Sequence, residues 1–353
     1  AIPGLSSLIF LLCFTSFALV LMLGGGPAVT TLEVEIYSAI RFDFNMPAAA
    51  GLSLIQFALT ALLVGVGAAF GGMMVPALIT SDMTIAGRFD LSQYDQLVDW
   101  LSITLLALLI ILPVGLIALN GMNVGLLKLM SRPQFWDALV TSINIAVISA
   151  VIVTLLAMVM ALAKAELTLP HRFGQIFGAR YFRVILDQGV MLYLVIPSVV
   201  LGTSAFILLR SRGDVFGYAF GVVILANTLM ALPFAYRLLE VRMISLMARH
   251  DRLAAQLGIR GMVRLRVLTL PTLRKDLGLI AGLSAALSFG DLGVIALFAN
   301  ADFRTLPWLL YQLAGKYAAD EANALAMLVI LLTAGLFLVA WFATDRALRG
   351  RNA

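Results

Sequence analysis

The sequence RLAAQLGIRGMVRLRVLTLP, residues 252–271, holds four arginines and no acidic residue within an otherwise apolar chain. Gly258 stands near its centre and Pro271 at its end. Residues 244–257 are compatible with a helix that Gly258 would end in a left-handed conformation. A second helical segment would follow, and we expect the chain to bend at Pro271 toward the next apolar stretch. The pattern therefore predicts two short helices joined by a turn.

The composition indicates a membrane protein. Of the 353 residues, 62% are hydrophobic and 12% are charged, whereas about a quarter of a soluble domain is charged. The net charge is +5, but the basic residues lie beside apolar segments, so we expect no nucleic-acid partner. The single cysteine, Cys13, excludes an internal disulfide. The two histidines, His171 and His250, are far apart in the sequence, and we expect no metal site.

Eight apolar segments are long enough to cross a bilayer, which takes about 20 helical residues. We therefore expect an all-α fold, a polytopic membrane helix bundle. Proline is expected to kink the fifth and sixth segments, at Pro197 and Pro233. The segments lie near 2–23, 48–70, 100–120, 137–162, 184–210, 216–240, 277–299 and 322–343.

The distribution of lysine and arginine predicts the orientation of these segments. Residues 70–99, 163–183, 241–276 and 344–353 fall on one side of the membrane and hold 16 of the 24 Lys and Arg residues. By the positive-inside rule, the side that is richer in these residues is the cytoplasm. We therefore expect both ends of the chain, and the 252–271 segment, to face the cytoplasm.

The chain resembles itself at a spacing of 274 residues. TTLEVEIYSAIRFDFNMPAAA at 30–50 aligns with RTLPWLLYQLAGKYAADEANA at 304–324. FTSFALVLML at 14–23 aligns with FGDLGVIALF at 289–298 after a slip of one residue. The similarity is weak at each position but collinear. The matched pairs are Thr31 and Thr305, Leu32 and Leu306, Tyr37 and Tyr311, and Ala48 and Ala322.

This repeat predicts a division of the chain into two halves. Residues 1–70 would hold the last two spans of a first half, and residues 71–99 a cytoplasmic segment between the halves. Residues 100–345 would form a complete second half of six spans, followed by a basic cytoplasmic tail over 346–353. The natural protein would then have about 540 residues, as in transporters built from parallel repeats. The missing initial methionine and the abrupt apolar start favour this longer protein over an intact protein of eight spans.

The 252–271 segment is too apolar for a loop that contacts only water. An apolar stripe with basic flanks suits docking to a partner, and it equally suits an interfacial helix on anionic lipid, so the residue pattern leaves both open. The apolar residues are Leu253, Leu257, Ile259, Val263 and Leu265, and the arginines along the same element are Arg260, Arg264 and Arg266.

The spacing within this segment resembles the EAA loop of the permeases of ATP-binding-cassette (ABC) importers. The family pattern is Glu-Ala-Ala, three residues, Gly, nine residues, Ile, one residue and Leu-Pro. Ala254 matches the second alanine, Gly258 matches the glycine, and Leu270 and Pro271 match the final pair. The resemblance implies a loop over 245–272 that couples the membrane helices to an ATPase.

Three positions of the loop depart from the family pattern. Arg252 replaces the glutamate, Leu253 replaces the first alanine, and Leu268 replaces the isoleucine. The departure at Arg252 puts in doubt any contact that the family makes through its acidic residue.

The resemblance to ABC importers also implies a fold and partners. We expect the type I ABC importer permease fold in the inner membrane of a bacterium, with a periplasmic substrate-binding protein as one partner. A separate ATPase subunit, itself a dimer, would carry the ATP and Mg. The motif Gly-x-x-x-x-Gly-Lys-Ser/Thr is absent from this sequence, so we expect the chain to bind no cofactor and to act as a transport subunit rather than as an enzyme.

Two further stretches resemble the permeases of thiamine transporters, which are fused double permeases. These are SFGDLGVIALFANADFRTLPWLLYQ at 288–312 and CFTSFALVLMLGGGPAVTTLEVEIYSAIRFDF at 13–44. The resemblance implies import of thiamine or its phosphates by alternating access. Fused iron(III) permeases share the architecture and are the nearest alternative. An ion-coupled secondary transporter is more remote, because it would require several paired ionisable residues within the spans.

Asp291 is the candidate residue for the substrate pathway, because an ionisable group within an apolar span is costly unless it is paired or hydrated. An acid there would favour a cationic substrate, and a buried hydrogen bond to a neighbouring helix is the structural alternative. Trp308 and Tyr311, just outside the seventh segment, suit an interfacial aromatic belt or stacking on a substrate ring. Asp187 is expected to extend toward water at the cytoplasmic interface.

Overall fold

The computed structural model describes residues 9–10, 13–24, 30–71, 93–168, 179–193, 196–211, 213–259 and 261–349. These residues are mainly helical, and no strand occurs among them. A π-helical turn spans Leu265–Thr269. The helices are α1 Phe17–Leu23, α2 Leu32–Arg41, α3 Met46–Gly71, α4 Gln93–Gly121, α5 Gly125–Met130, α6 Pro133–Thr168, α7 Ala179–Leu192, α8 Ser198–Arg210, α9 Ala219–Gln256, α10 Gly261–Arg264, α11 Leu270–Phe289, α12 Gly293–Phe298, α13 Leu306–Gly315 and α14 Ala319–Arg349.

Six helical stretches in the described part of the chain are long and apolar enough to cross a membrane. Inside a bilayer every backbone N–H and C=O must be bonded internally, and a helix achieves this within one segment. The predicted all-α membrane bundle is therefore confirmed, but the predicted count of eight spans is wrong for these residues. The six stretches are Met46–Val66, Gln96–Gly121, Pro133–Thr168, Ala219–Asp251, Gly261–Phe298 and Ala319–Thr344.

The difference between eight and six arises at the first and fifth predicted spans. Much of the first, 2–23, lies outside the described residues. The fifth, 184–210, is not one helix, because α7 ends at Leu192 and α8 begins only at Ser198. Pro197 stands between them with φ −61° and ψ 149°, an extended conformation, and it lacks the N–H that would continue a helix. With 14 and 13 residues, α7 and α8 are each shorter than a span of about 20.

Three long helices, α6, α9 and α11, pack against one another. Alanine lines this contact: Ala157, Ala161 and Ala165 recur every four residues on one face of α6, and each is fully buried. Ala231 and Ala235 are buried on α9. Small side chains let helix backbones approach closely, which is how helices gain packing energy in lipid, where no hydrophobic force drives them together.

Glycine serves the same purpose where α14 packs on α11. A Cβ atom added at Gly282 of α11 would lie 2.9 Å from the backbone oxygen of Phe337. One added at Gly278 would lie 3.1 Å from the Cα atom of Trp341. These two glycines therefore set the distance between α11 and α14.

The two segments that align at a spacing of 274 residues have the same local structure. α2 begins at Leu32 and α13 at Leu306, each after a threonine in extended conformation, and both helices have ten residues. Each is followed by a long helix, α3 or α14, after a connection that holds a residue with positive φ: Phe44 at 52° and Tyr317 at 56°. This likeness agrees with the repeat, while the division into two halves stays a prediction.

A buried acid joins α2 to α3 in the first of these segments. Glu33 of α2 is 1% exposed, and Gln56 of α3 donates its Nε2–H to Glu33 Oε1 at 2.8 Å. Burial raises the pKa of Glu33 to about 7, although the hydrogen bond from Gln56 lowers it. The folded chain therefore favours the protonated carboxyl group.

The glycine contact predicts an effect of adding a single methyl group. Gly282→Ala should destabilise the protein by about 1–3 kcal/mol, because the methyl group must push α14 away from α11. Gly335→Ala is the matched control, since a Cβ atom there meets nothing within 4 Å. Thermal unfolding of the purified protein in detergent measures both. Equal melting temperatures for the two variants would contradict the close contact.

The raised pKa of Glu33 predicts a pH dependence of stability. The folded chain holds this proton up to about pH 7, whereas the unfolded chain releases it near the ordinary value of 4.5. The contribution of Glu33 to the free energy of unfolding is therefore fully present below that value. It is lost as the pH rises toward 7, by on the order of 3 kcal/mol. Glu33→Gln should flatten the decline in melting temperature between about pH 5 and pH 8. Glu35→Gln, an exposed position on the same helix, should leave the decline unchanged, and identical pH profiles for all three proteins would refute the assignment.

Candidate functional site

The 252–271 segment forms a sharp helical turn. α9 ends at Gln256, and Gly258 follows with φ +68°. The N–H of Ile259 donates to the carbonyl of Ala254 at 2.9 Å, the six-to-one bond of a Schellman motif. Gly261, with φ +56°, begins α10. The left-handed conformation predicted for Gly258 is confirmed, while its role in coupling stays a prediction.

This turn exposes an apolar surface. The exposed side chains belong both to the end of α9 and to the helical run after the turn, so the surface continues across Gly258. By contrast, Ala254 is buried and packs inward. The exposed side chains, which we call the loop face, are those of Leu253, Leu257, Met262, Val263 and Val267.

Arg264 does not belong to the exposed face, contrary to the expectation that the arginines flank it. Its side chain is 5% exposed. Its Nη1 lies 2.8 Å from Asp251 Oδ1 at the end of α9 and 3.6 Å from Glu166 Oε1 at the end of α6. Arg266 is exposed, and Arg260 lies outside the described residues. Arg264 therefore forms ion pairs that hold the turn to α6 and α9. Its acidic partners, Glu166 and Asp251, lie on those two helices.

The expected bend at Pro271 is absent. Pro271 lies in the first turn of α11, which continues the π turn Leu265–Thr269 without a break. In the π turn the N–H of Leu270 donates to the carbonyl of Leu265, one residue further back than in an α-helix. A proline ring clashes with the carbonyl four residues before it. The wider turn directly before Pro271 provides room for the ring, so the helix stays continuous.

Three further loop positions were predicted to matter, Arg252, Leu268 and Leu270. Leu268 and Leu270 are half-buried. The side chain of Arg252 lies outside the described residues. The functional importance of the loop residues therefore stays a prediction.

Asp291 lies at a break between two helices. α11 ends at Phe289 and α12 begins at Gly293. Asp291 Oδ1 accepts a hydrogen bond from the N–H of Gly293 at 3.1 Å, so the carboxylate caps α12. Its Oδ2 is buried and has no hydrogen-bond partner among the described residues. Asp291 is one of the residues that line a pocket of about 120 Å³ between α9 and α11.

Trp308 and Tyr311 do not line that pocket. Trp308 is buried, and its ring centre lies 5.2 Å from that of Tyr311. The guanidinium of Arg41, on α2, lies 5.8 Å from the centre of the Trp308 ring and donates to the carbonyl of Ala299 at 3.0 Å. Burial, and then the neighbouring Tyr311, raises the pKa of Tyr37 to about 12. The two aligned segments of the repeat therefore meet at Tyr37 and Tyr311, and an aromatic-belt position does not describe the buried Trp308.

Asp187, whose side chain is 25% exposed, joins a network of charges between α6, α7 and α9. It pairs with Lys164 of α6 and accepts a hydrogen bond from the hydroxyl of Tyr236 at 2.9 Å. Glu240 Oε1 lies 3.3 Å from Lys164 Nζ, and Glu240 Oε2 lies 3.0 Å from Arg237 Nη1. Asp291 is therefore not the only ionisable group between the described helices, because Lys164 and Glu240 are also buried there.

The sequence contained only a partial signal for this network. Arg237 and Glu240 are three residues apart, a spacing that pairs charges on one helix face. The partners Lys164 and Asp187 come from two other helices, and nothing in their own neighbourhood in the sequence indicates α9.

The sequence is similar to permease proteins of bacterial transport systems, although no family model matches it. It is 36% identical over 352 residues to the thiamine transport system permease protein ThiP of Brucella suis, covering 100% of this chain and 62% of that protein. The ThiP protein of Salmonella typhimurium is 36% identical over 337 residues, 95% of this chain and 61% of that protein. The chain therefore spans about three-fifths of the length of these relatives.

A more distant relative covers part of the chain. The molybdenum transport system permease protein ModB of Mycobacterium bovis is 31% identical over 222 residues. The match takes in 58% of this chain and 78% of that protein.

The charge network predicts a large cost for removing its central cation. Lys164→Met leaves Asp187 and Glu240 without their shared partner, and breaking a buried ion pair in this way costs about 3–5 kcal/mol. Lys128→Met is the control, because Lys128 is exposed on α5. The melting temperature in detergent should fall for the first variant and not for the second. A Lys164→Met protein as stable as the wild type would show that the network contributes nothing to folding.

Proposed function

The chain belongs to the permeases of ABC importers, and on this premise we propose that it forms the membrane path by which thiamine or its phosphates enter the cytoplasm. The thiamine permeases to which it is similar support this substrate over iron(III). The observation that carries the proposal is the turn around Gly258, whose exposed apolar face has the form of a docking element.

The lengths of the helices favour docking to a protein over attachment to lipid. α9 has 38 residues and is therefore about 57 Å long. The hydrocarbon core of a bilayer is only about 30 Å thick. The helical run from Gly261 to Phe289, which ends before the break at Asp291, has 29 residues, residues 261 to 289, and is therefore about 43 Å long. Both helical runs are therefore longer than the hydrocarbon core. We propose that the turn that joins them lies beyond the cytoplasmic surface of the bilayer, away from the interface where a lipid-bound helix would lie.

The loop face suits a groove on another protein. Leu253, Leu257 and Val263 are more than half exposed, and apolar side chains on one side of a short helix are typical of helix-in-groove recognition. We propose that the groove belongs to an ABC ATPase subunit, in a dimer that carries the ATP and Mg. A periplasmic binding protein would deliver the substrate on the opposite side of the inner membrane, and both chain ends would face the cytoplasm.

The same elements can transmit movement from the ATPase to the membrane. Arg264 ties the turn to α6 and α9, so the turn cannot shift without moving these helices. α9 runs unbroken from Asn227 to Ala254, a distance of about 40 Å. α11 runs from the turn to the break before Asp291. In this proposal, ATP-driven closure of the ATPase dimer moves the turn, and α9 and α11 carry the movement to the pocket.

Transport and ATPase binding test the proposal together. Val263→Glu places a charge on the loop face, where the side chain is 57% exposed, so the fold should tolerate it. When the protein is produced with its ATPase and binding protein, copurified ATPase should fall about tenfold, which corresponds to about 1.4 kcal/mol. Uptake of labelled thiamine should fall with it.

Val124→Glu is the matched control, because Val124 is 69% exposed in the connection between α4 and α5. It should leave ATPase binding and uptake unchanged. Loss of ATPase binding without any thiamine uptake by the wild type would keep the importer and discard the substrate. Uptake that needs neither the ATPase nor the loop face would overturn the proposal.

A further inference from the structure

Two short helices from distant parts of the chain meet on the side of the bundle that lies away from the turn around Gly258. That turn precedes α11, whereas α13 follows α12, at the opposite end of the candidate span Gly261–Phe298. α2 packs against α12, and Tyr37 on α2 and Trp308 on α13 are both buried. In the predicted division of the chain, α2 belongs to the first half and α13 to the second. The contact therefore joins the two halves on the periplasmic side.

Arg41, the last residue of α2, contacts both α12 and α13 across this junction. Its Nη2 donates to the carbonyl of Ala299 at 3.0 Å. Ala299 directly follows α12, and the last carbonyls of a helix have no partner within it. The Arg41 guanidinium also lies 5.8 Å from the centre of the Trp308 ring, within the range of a cation–π interaction. One side chain of the first half therefore holds two elements of the second half.

Aromatic side chains lie around this contact. The ring of Tyr37, one turn before Arg41 on α2, packs edge-on against Phe17, with the ring centres 5.7 Å apart. Burial raises the pKa of Tyr37 most, and Arg41 partly offsets that rise, which places the guanidinium close to the Tyr37 side chain. Arg41 is itself half-buried, and a cation–π interaction strengthens as water is excluded from it. Removing the guanidinium should therefore change how firmly the two halves hold together.

Alternating access requires a contact of this kind to separate. In transporters built from repeats, one half moves against the other around a fixed binding site. When the path opens outward, the periplasmic ends of the halves move apart, and Arg41 no longer reaches Ala299 and Trp308. An interaction that is present in only one of two states shifts their equilibrium toward that state.

We propose that Arg41 is a latch that stabilises the outward-closed state of the permease. It is a positioning residue, because it acts through Ala299 and Trp308 and needs no contact with the solute. This inference rests on the proposed function, since the two states are those of an importer driven by a partner ATPase. It adds to that function a single side chain that sets how readily the path opens outward.

Arg41→Gln tests the latch, because it removes the charge and the planar guanidinium. In the proposed mechanism, closure of the ATPase dimer opens the path outward, so a weakened latch should let the dimer close without the binding protein. ATP hydrolysis by the purified transport complex in nanodiscs, measured without binding protein, should rise at least threefold. Lys316→Gln is the matched control, since Lys316 is an exposed cation just past the end of α13, and it should leave hydrolysis unchanged.

Two further variants separate the latch from a general loss of structure. Arg41→Lys keeps a charge and a donor, so it should raise hydrolysis less than Arg41→Gln does. Trp308→Phe keeps a buried ring but offers a weaker surface to the cation, and it should also raise hydrolysis. Combined with Arg41→Gln, it should add little, because both substitutions weaken the same contact.

The possible results distinguish the latch from the proposed function. Hydrolysis that falls together with the melting temperature in Arg41→Gln would show a merely structural role and overturn the latch. If Arg41→Gln does not fold, hydrolysis equal to that of the wild type in both Arg41→Lys and Trp308→Phe would overturn it. A wild-type permease that binds no ATPase would reject the proposed function and the latch with it. Raised hydrolysis in a complex that does not transport thiamine would uphold the latch and reject only the substrate.

Discussion

The close packing of α9 between α6 and α11 is the contact on which the other features of the structure depend. In a bilayer, helices associate only where their surfaces fit, because lipid is as apolar as the side chains it would replace. Alanine on α6 and α9 supplies that fit. With α9 held against its neighbours, Arg264 can reach Asp251 and Glu166 together, and Asn227 can reach Ser288. The turn around Gly258 and the contact between Asn227 and Ser288 therefore lie at two ends of the same packed helices.

The buried charges divide into two functional groups by whether they are paired. Lys164, Asp187, Glu240 and Arg237 satisfy one another between three helices, and such closed networks hold helices in one arrangement. Asp291 has a carboxylate oxygen that remains unpaired beside a pocket. A structural role accounts for the ion pairs of the first group. In Asp291 the hydrogen bond from the Gly293 N–H accounts for one oxygen, and the other has no partner among the described residues.

The break before α12 and the break between α7 and α8 lie close to each other. A Cβ atom added at Gly293, the first residue of α12, would lie 2.2 Å from Ser198 Oγ, at the first residue of α8. Interrupted helices of this kind are typical of transport proteins, because they expose backbone groups only where protein or a cavity covers them. Here the two interruptions bring the start of α8 beside the helix end that carries Asp291.

The sequence by itself determined the features that depend on local pattern. Apolar length predicted a helical membrane bundle, Gly258 predicted a left-handed turn, and the spacing from Ala254 to Pro271 indicated an importer loop. Only the tertiary structure decided which groups meet. Arg264 is buried because acids from two other helices surround it, and Pro271 lies within a helix because a π turn precedes it. Asp187 pairs with Lys164, which is 23 residues away in the sequence, and Asn227 donates to Ser288, which is 61 residues away. Such contacts depend on how the helices pack, so the residues next to each partner in the sequence do not predict them.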